Sequence, residues 1–241
     1  MTHLDDRRGT ASQATRWRLY AGIKRVVDCA LVCLAAPIAV PLGVLTAAVV
    51  RVGLGRPILF RQERPGRWER PFTVLKFRTM RDAVDGRGRA LADRDRLTRV
   101  GRFLRRASLD ELPQLVNVLK GDMSLVGPRP LLMRYLPYFT ERERARFLAR
   151  PGITGLAQVS GRNQAPWSER LAKDAEYVEH WSIGLDVTIL ARTVLAVAFA
   201  RGALADESDA AGDLDVERGA VAQRRPDAAA QSVQKGAREP A

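Results

Sequence analysis

The stretch "CALVCLAAPIAVPLGVLTAAVV", residues 29–50, decides how the rest of the chain is read. Its 22 residues carry no charge, and as a helix they can reach across a hydrocarbon core of about 30 Å. Trp17 and Tyr20 lie just upstream and suit a membrane interface. Two features argue against a simple crossing. Pro37 and Pro41 each remove a backbone donor and crowd the preceding turn. The flanks are basic on both sides: Arg16, Arg18, Lys24 and Arg25 before, and Arg51, Arg56, Arg61, Arg64 and Arg67 after. Basic flanks favour the cytoplasm, and a crossing helix satisfies only one of them. A segment that enters, breaks at Pro37 and returns to the same side satisfies both. The expectation is therefore a re-entrant membrane helix-hairpin over 20–51, with a kinked spanning anchor as the alternative. Asp28 stands at helical spacing from Lys24, which lowers the cost of a carboxylate near the interface.

Working outward, residues 1–19 are polar and read as a disordered lead-in. Residues 52–201 read as one cytosolic domain, and 202–241 as an Ala/Gly/Asp-rich disordered tail. The net charge of +13 is uneven: 202–241 hold five basic and eight acidic side chains, which leaves +16 on residues 1–201. Such a field draws polyanions, whether nucleic acid, anionic lipid or phosphorylated substrates. Cys29 and Cys33 have no neighbouring ligands for a zinc site and read as small apolar side chains. His3 and His180 have no partner in sequence, so histidine chemistry gains no support.

Within the domain, Ile58–Phe60 and Phe72–Phe77 flank a Pro65-Gly66 turn, which predicts a β-hairpin. "RDAVDGRGRALADRDRLTRVGRF" reads as a charged mobile loop leading into a helix, and "LDELPQLVNVL" as a helix. "TERERARFLAR" is helical and charge-rich, and "PGITGLAQVSGR" is a turn and short strand. Residues 187–200 are too few to span and read as a buried or interfacial helix. The fold class is α/β and helix-rich: a membrane hairpin, then a compact domain with a small β-hairpin or sheet and interfacial amphipathic helices.

"LRRASLDELPQL", residues 104–115, sets Asp110 beside Glu111. Ser108 and Glu111 have the spacing of a capping box, and Asp110 falls in the first turn, where the helix dipole favours negative charge. Around this pair, basic residues sit in turns: Lys76 and Arg78 in "KFRTM", Arg105 and Arg106, Arg129 in "GPRP" and Arg162 in "GRN". An arginine between prolines is held on a stiffened backbone, which suits bidentate phosphate binding. No phosphate-binding P-loop or dinucleotide fingerprint is present. A basic membrane-anchored module for nucleic acid or anionic lipid is the second reading. Against nucleic acid, the sequence carries no helix-turn-helix, zinc-finger or aromatic RNA-binding pattern, and aromatic residues are only 6%.

The motifs "KRVVD", "PILFRQERPG", "FTVLKFRTM", "LTRVGRFLRRASLDELPQLVNVLKGDMSLVGPRPLL" and "RPGITGLAQVSGRN", followed by Trp167 and Asp174, run in order through residues 24–201. Together they resemble the bacterial sugar transferase family, the small monotopic phosphoglycosyltransferases. The resemblance implies transfer of a sugar-1-phosphate from a UDP-sugar to polyprenyl phosphate (undecaprenyl phosphate) at the cytoplasmic face of the bacterial inner membrane. UMP leaves, and the reaction initiates glycoconjugate or exopolysaccharide assembly, with downstream glycosyltransferases as partners. It also implies a ping-pong mechanism in which Asp110 is the nucleophile and Glu111 the ligand of a Mg²⁺ cofactor. By the same resemblance, Lys76, Arg78, Arg105, Arg129 and Arg162 clamp phosphates, while Gln158 and Asp174 serve the carrier or the nucleotide. The helix break, often Ser-Pro in the family, is Ala36-Pro37 here, with Pro41 four residues on. The residues alone support these roles: a carboxylate with a reference pKa near 3.9 is ionised at neutral pH and needs no separate base. Its attack on a diphosphate requires cations to offset charge repulsion.

Overall fold

The computed structural model describes residues 5–82, 92–160, 165–198 and 213–219. Helix α1 spans Asp5–Gly53 with Pro37 and Pro41 inside it, so no non-helical break divides the segment at Pro37. It also begins upstream of the expected start, within the stretch read as a disordered lead-in. One stripe, Lys24, Asp28, Val32, Thr46 and Val50, is buried, while Leu34, Ile38, Val40, Val44 and Leu45 are exposed. The N-terminal part is fastened by polar contacts. Lys24 Nζ lies 2.6 Å from Asp186, and Ser124 Oγ donates to Asp28 at 2.7 Å. Arg25 donates to the carbonyls of Val118 and Leu119. Lys24 therefore pairs more closely with Asp186 than with Asp28, from which it stands 3.8 Å away.

The predicted hairpin is present and longer than the sequence suggested. Strands β1 (Leu59–Pro65) and β2 (Pro71–Phe77) pair antiparallel from Leu59↔Phe77 to Pro65↔Pro71. The prolines sit at the ends, where a missing N–H costs no ladder bond. After the short α2 (Asp93–Arg96), α3 (Arg99–Arg106) starts at Thr98, whose hydroxyl accepts from the Gly101 N–H at 2.9 Å. A 3₁₀ turn, Leu109–Glu111, leads into α4 (Gln114–Lys120), which ends at Gly121 with φ 90°, a conformation only glycine adopts cheaply. Asn117, in the middle of α4, accepts from Leu75 N–H at 3.1 Å and donates to Thr73 C=O at 2.8 Å. Its amide thus completes hydrogen bonding along the outer edge of β2.

Strand β3 (Ser124–Val126) follows, then a 3₁₀ stretch at Met133–Tyr138, α5 (Glu141–Arg144) and β4 (Gly152–Thr154). β3 and β4 pair in parallel. A Cβ on Gly152 would lie 2.1 Å from Gly127 N, so the close pairing requires glycine. Helices α6 (Leu156–Val159), α7 (Trp167–Glu179) and α8 (Ile183–Ala198) complete the domain. α8 buries Ile189 but exposes Val187, Val194, Leu195 and Val197, so it is apolar on its buried and its exposed side alike.

Residues 213–219 depart from the expected disordered tail. Leu214 is fully buried in a cluster with Leu131, Tyr135, Phe139, Phe147, Trp167 and Leu171. Arg218 forms two 2.7 Å hydrogen bonds to the carboxylate of Glu143. One buried leucine and the ion pairs of Asp213, Asp215 and Arg218 hold the segment on the domain.

Candidate active site

The hairpin, the 3₁₀ turn and the loop after β3 enclose an open cleft of about 1560 Å³. Lys76 enters from β2, Arg105 from the end of α3, Asp110 and Glu111 from the 3₁₀ turn, and Arg129 from the Pro128–Pro130 loop. The local backbone explains how the two carboxylates come to diverge. Ser108 adopts a left-handed conformation (φ 53°, ψ 20°), and its side chain makes no capping bond. An N-cap needs an extended backbone, so the expected capping box does not form. Glu111 turns away from Ser108, and its Oε1 accepts from Lys76 Nζ at 3.0 Å and Arg129 at 3.1 Å. The left-handed residue costs on the order of 1 kcal/mol and stands two positions before Asp110.

Asp110 is 7% exposed and makes no hydrogen bond or ion pair among the described residues. Burial, followed by the negative charge of Glu111, pushes its carboxyl up to about 6, against the pull of Lys76, Arg105 and Arg129. At pH 7 roughly nine in ten such groups are still ionised. For Glu111, burial alone would raise the pKa, but the charges and hydrogen bonds of Lys76 and Arg129 outweigh it and hold the group well below the usual carboxylate range. Of two adjacent acids, one is locked as a permanent anion and the other is left with its oxygens uncommitted. An ionised, desolvated carboxylate without partners is a competent nucleophile.

The remaining predicted residues separate into layers. Arg105 Nε donates to Thr79 Oγ1 at 3.0 Å, which sets its guanidinium at the cleft wall. Gln158 lines the cleft; its amide donates to Ile153 C=O at 3.0 Å, and its buried Oε1 has no partner among the described residues. Arg78 also lines the cleft, but its guanidinium donates to the carbonyls of Met80 and Arg56 and to Asp82. It ties the rim together more than it faces the interior. Asp174 lies one layer back. Its Oδ2 accepts from Arg146 at 2.8 Å, and Arg146 in turn donates to the Arg129 carbonyl at 2.6 Å. Asp174 thus supports Arg129 from behind. Arg162 lies outside the described residues, and Pro37 sits exposed in α1.

Sequence reasoning missed Arg146, which is 3% exposed. It sits in "TERERARFLAR", where charge density reads as a solvated face. Thr79 and Tyr135, both on the cleft, were missed as well, and nothing in their sequence context marks them. Among the described residues no group of three or more acidic, histidine or cysteine side chains converges. Magnesium needs fewer: one or two carboxylates, with phosphate oxygens and water completing its shell. Glu111 Oε2 and the unpartnered Asp110 fit that requirement.

Residues 19–200 match the family described as bacterial sugar transferase. The chain belongs to the bacterial sugar transferase family. One relative is an uncharacterized sugar transferase, EpsL of Bacillus subtilis, 54% identical over 157 residues, which is 65% of this chain and 78% of that protein. A second is the UDP-glucose:undecaprenyl-phosphate glucose-1-phosphate transferase of Caulobacter vibrioides, 46% identical over 181 residues, covering 71% of this chain and 68% of that enzyme. A third is a UDP-N-acetylgalactosamine-undecaprenyl-phosphate N-acetylgalactosaminephosphotransferase of Aeromonas hydrophila, 38% identical over 194 residues, 77% and 46% of the two chains. As a sugar transferase, the chain holds its two carboxylates and the cleft cations Lys76, Arg105 and Arg129 within the matched region, whereas residues 213–219 lie beyond it.

Proposed function

We propose that this sugar transferase moves a sugar-1-phosphate from a UDP-sugar to undecaprenyl phosphate at the membrane surface. The observation that carries the reading is the buried, unpartnered Asp110 in the wall of a cationic cleft, beside a Glu111 already neutralised by Lys76 and Arg129. An Asp110 oxygen attacks the sugar-linked phosphorus, and the bond from that phosphorus to the bridging oxygen breaks. UMP leaves with the bridging oxygen and its electron pair. An oxygen of the lipid phosphate then attacks the same phosphorus and releases the Asp110 carboxylate, so no proton has to be moved by the protein. Arg105 and Arg129 offset the charge that gathers on the equatorial oxygens. Mg²⁺, held by Glu111 and Asp110 when bound, would supply further charge neutralisation on the diphosphate. The names of the Caulobacter and Aeromonas relatives support the donor and acceptor classes.

The placement at a membrane is supported by α1, which from Tyr20 to Gly53 is long and apolar enough to cross a bilayer. Its contacts support a bend. Arg25 bonds carbonyls at the C-terminal end of α4, while Val50 packs with Phe77, Leu104 and Leu112, at the N-terminal side of that same helix. A straight helix from Arg25 to Val50 would advance about 37 Å, whereas Leu112 and Leu119 stand about 10 Å apart at helical rise. That difference supports a helix that, without losing its helical hydrogen bonding, bends within its proline-bearing stretch, as the re-entrant reading requires. Both basic flanks then lie on the cytoplasmic face.

The test is UMP release from a panel of UDP-sugars with undecaprenyl phosphate in detergent micelles, by wild type and Asp110→Asn. Magnesium-dependent release by wild type alone is expected. Equal release by the folded variant removes Asp110 as nucleophile.

A further inference from the structure

The docked segment 213–219 reaches the cleft. Asp213 lines it together with Tyr135, and each of its carboxylate oxygens has a defined partner. Tyr135 Oη donates to Oδ1 at 2.7 Å, and Arg134 stands 2.6 Å from Oδ2. The next residue, Leu214, is buried against Tyr135 and Trp167, and four residues further on Arg218 grips Glu143 at 2.7 Å. Asp213 is therefore presented from a fixed platform: a buried apolar anchor and an ion pair place its carboxylate, and the side chain remains 38% exposed.

The chemistry of the cleft gives that carboxylate a specific use. An ionised carboxylate only accepts hydrogen bonds, and it has about four lone-pair positions, two of which Tyr135 and Arg134 leave open. It repels phosphate, so it has no place in the clamp formed by Lys76, Arg105 and Arg129. It attracts hydroxyl groups. The other acids on the cleft have different places: Glu111 between two cations, Asp82 against Arg78, and Asp110 as the proposed nucleophile. Asp213 is the acid there that is neither at the phosphoryl centre nor on the rim.

We infer that the C-terminal segment completes the donor site, and that Asp213, held by Tyr135 and Arg134, is a specificity-determining residue that accepts hydrogen bonds from the hydroxyls of the donor's hexose. The inference rests on the proposed UDP-sugar chemistry. It extends the site past residue 200, where the family match ends. A pocket built to bond a substrate hydroxyl discriminates strongly against donors that lack it or place it elsewhere. Placing the discriminating group outside the matched domain lets sugar choice vary while the phosphoryl machinery stays fixed.

The hydroxyls of a UDP-sugar belong to the hexose or to the ribose, and the experiment separates them. Full-length wild type, Asp213→Asn and Arg218→Ala are compared for kcat/KM of UMP release on three donors: the preferred UDP-sugar, its hydroxyl epimers, and the 2′-deoxyribose form of the preferred donor. Asp213→Asn is expected to lower kcat/KM for the preferred sugar by about tenfold or more, the worth of a hydrogen bond to a charged group. It should also compress the preference over epimers by a similar factor and leave the 2′-deoxy penalty at its wild-type value. Arg218→Ala, which loosens the platform without touching the cleft, should compress the epimer preference in the same direction by less. A purely structural role lowers all donors alike and leaves the ratios intact, and unchanged epimer ratios in folded Asp213→Asn overturn the inference. So does a change confined to the 2′-deoxy penalty, which assigns Asp213 to the ribose. If wild type releases no UMP from any UDP-sugar, the donor reading itself fails, and that result is distinct from both.

Discussion

Two stretches of this chain spell nearly the same instruction, and the fold obeys only one of them. Ser108 to Glu111 and Thr140 to Glu143 both have a hydroxyl three residues ahead of a glutamate. At Thr140 the backbone is extended, the hydroxyl accepts from the Glu143 N–H, and Glu143 Oε2 accepts from the Thr140 N–H at 2.8 Å. That is a complete capping box. At Ser108 the backbone is left-handed, no capping bond forms, and Glu111 is drawn to Lys76 and Arg129. The difference lies not in the four residues but in what surrounds them. Two cations 35 positions upstream and 18 positions downstream of Glu111 outbid a local bond. A capping bond is worth about 1 kcal/mol, while leaving a buried carboxylate unpaired costs several.

The largest effect that tests this contrast is at Asp110, which the Ser108 turn sets in the cleft wall. Asp110→Asn is expected to reduce UMP release by at least a thousandfold. Thermal unfolding should meanwhile move upward, because a carboxyl whose pKa is raised by folding destabilises the native state when ionised, by on the order of 3 kcal/mol at pH 7. A fall in Tm with retained activity would make Asp110 a structural residue. Next, Glu111→Gln strips the countercharge from Lys76 and Arg129, and a loss of about a hundredfold in kcat is expected. If Glu111 were only a cap, turnover would hold and Tm alone would drop.

The acid limb of the rate profile gives a smaller and sharper reading. In the proposed mechanism deprotonated Asp110 is the active form, so turnover should fall as pH drops through about 6, with the slope of a single proton. Lys76→Ala removes a charge that lowers this group's pKa, so the limb should shift to higher pH; a shift to lower pH would mean that another group governs it. The smallest effect separates the two boxes directly. Thr140→Ala should cost about 1 kcal/mol in denaturant unfolding, whereas Ser108→Ala, with no cap to lose, should stay within about 0.5 kcal/mol. Equal losses at the two positions would mean that Ser108 caps after all.

Much of the architecture was written locally. The Pro65-Gly66 turn between apolar runs marked the hairpin, and the ordered motifs marked Asp110 and Glu111. What escaped the sequence is long-range. The three-residue strands β3 and β4 pair across 25 intervening residues, and strands that short carry no periodicity of their own. Arg146 is buried by Asp174 and the Arg129 carbonyl, neither of which its neighbours announce. Arg78 sits in a basic loop, yet its donors go to the Met80 carbonyl beside it, to the distant Arg56 carbonyl and to Asp82, pairings that the basic loop does not announce. In the tail, one leucine among small and acidic residues carries too little signal to separate docking from disorder.

Arg25 has a further consequence. It holds the carbonyl end of α4, and α4 opens three residues after Glu111. The segment proposed to lie in lipid and the two carboxylates are thus joined through about two turns of helix. With α1 seated in the bilayer as proposed, its depth would set the altitude of Asp110 above the plane of the lipid phosphates. On that proposal the protein carries its own gauge, one that would bring the proposed nucleophile to the level of a polyprenyl headgroup.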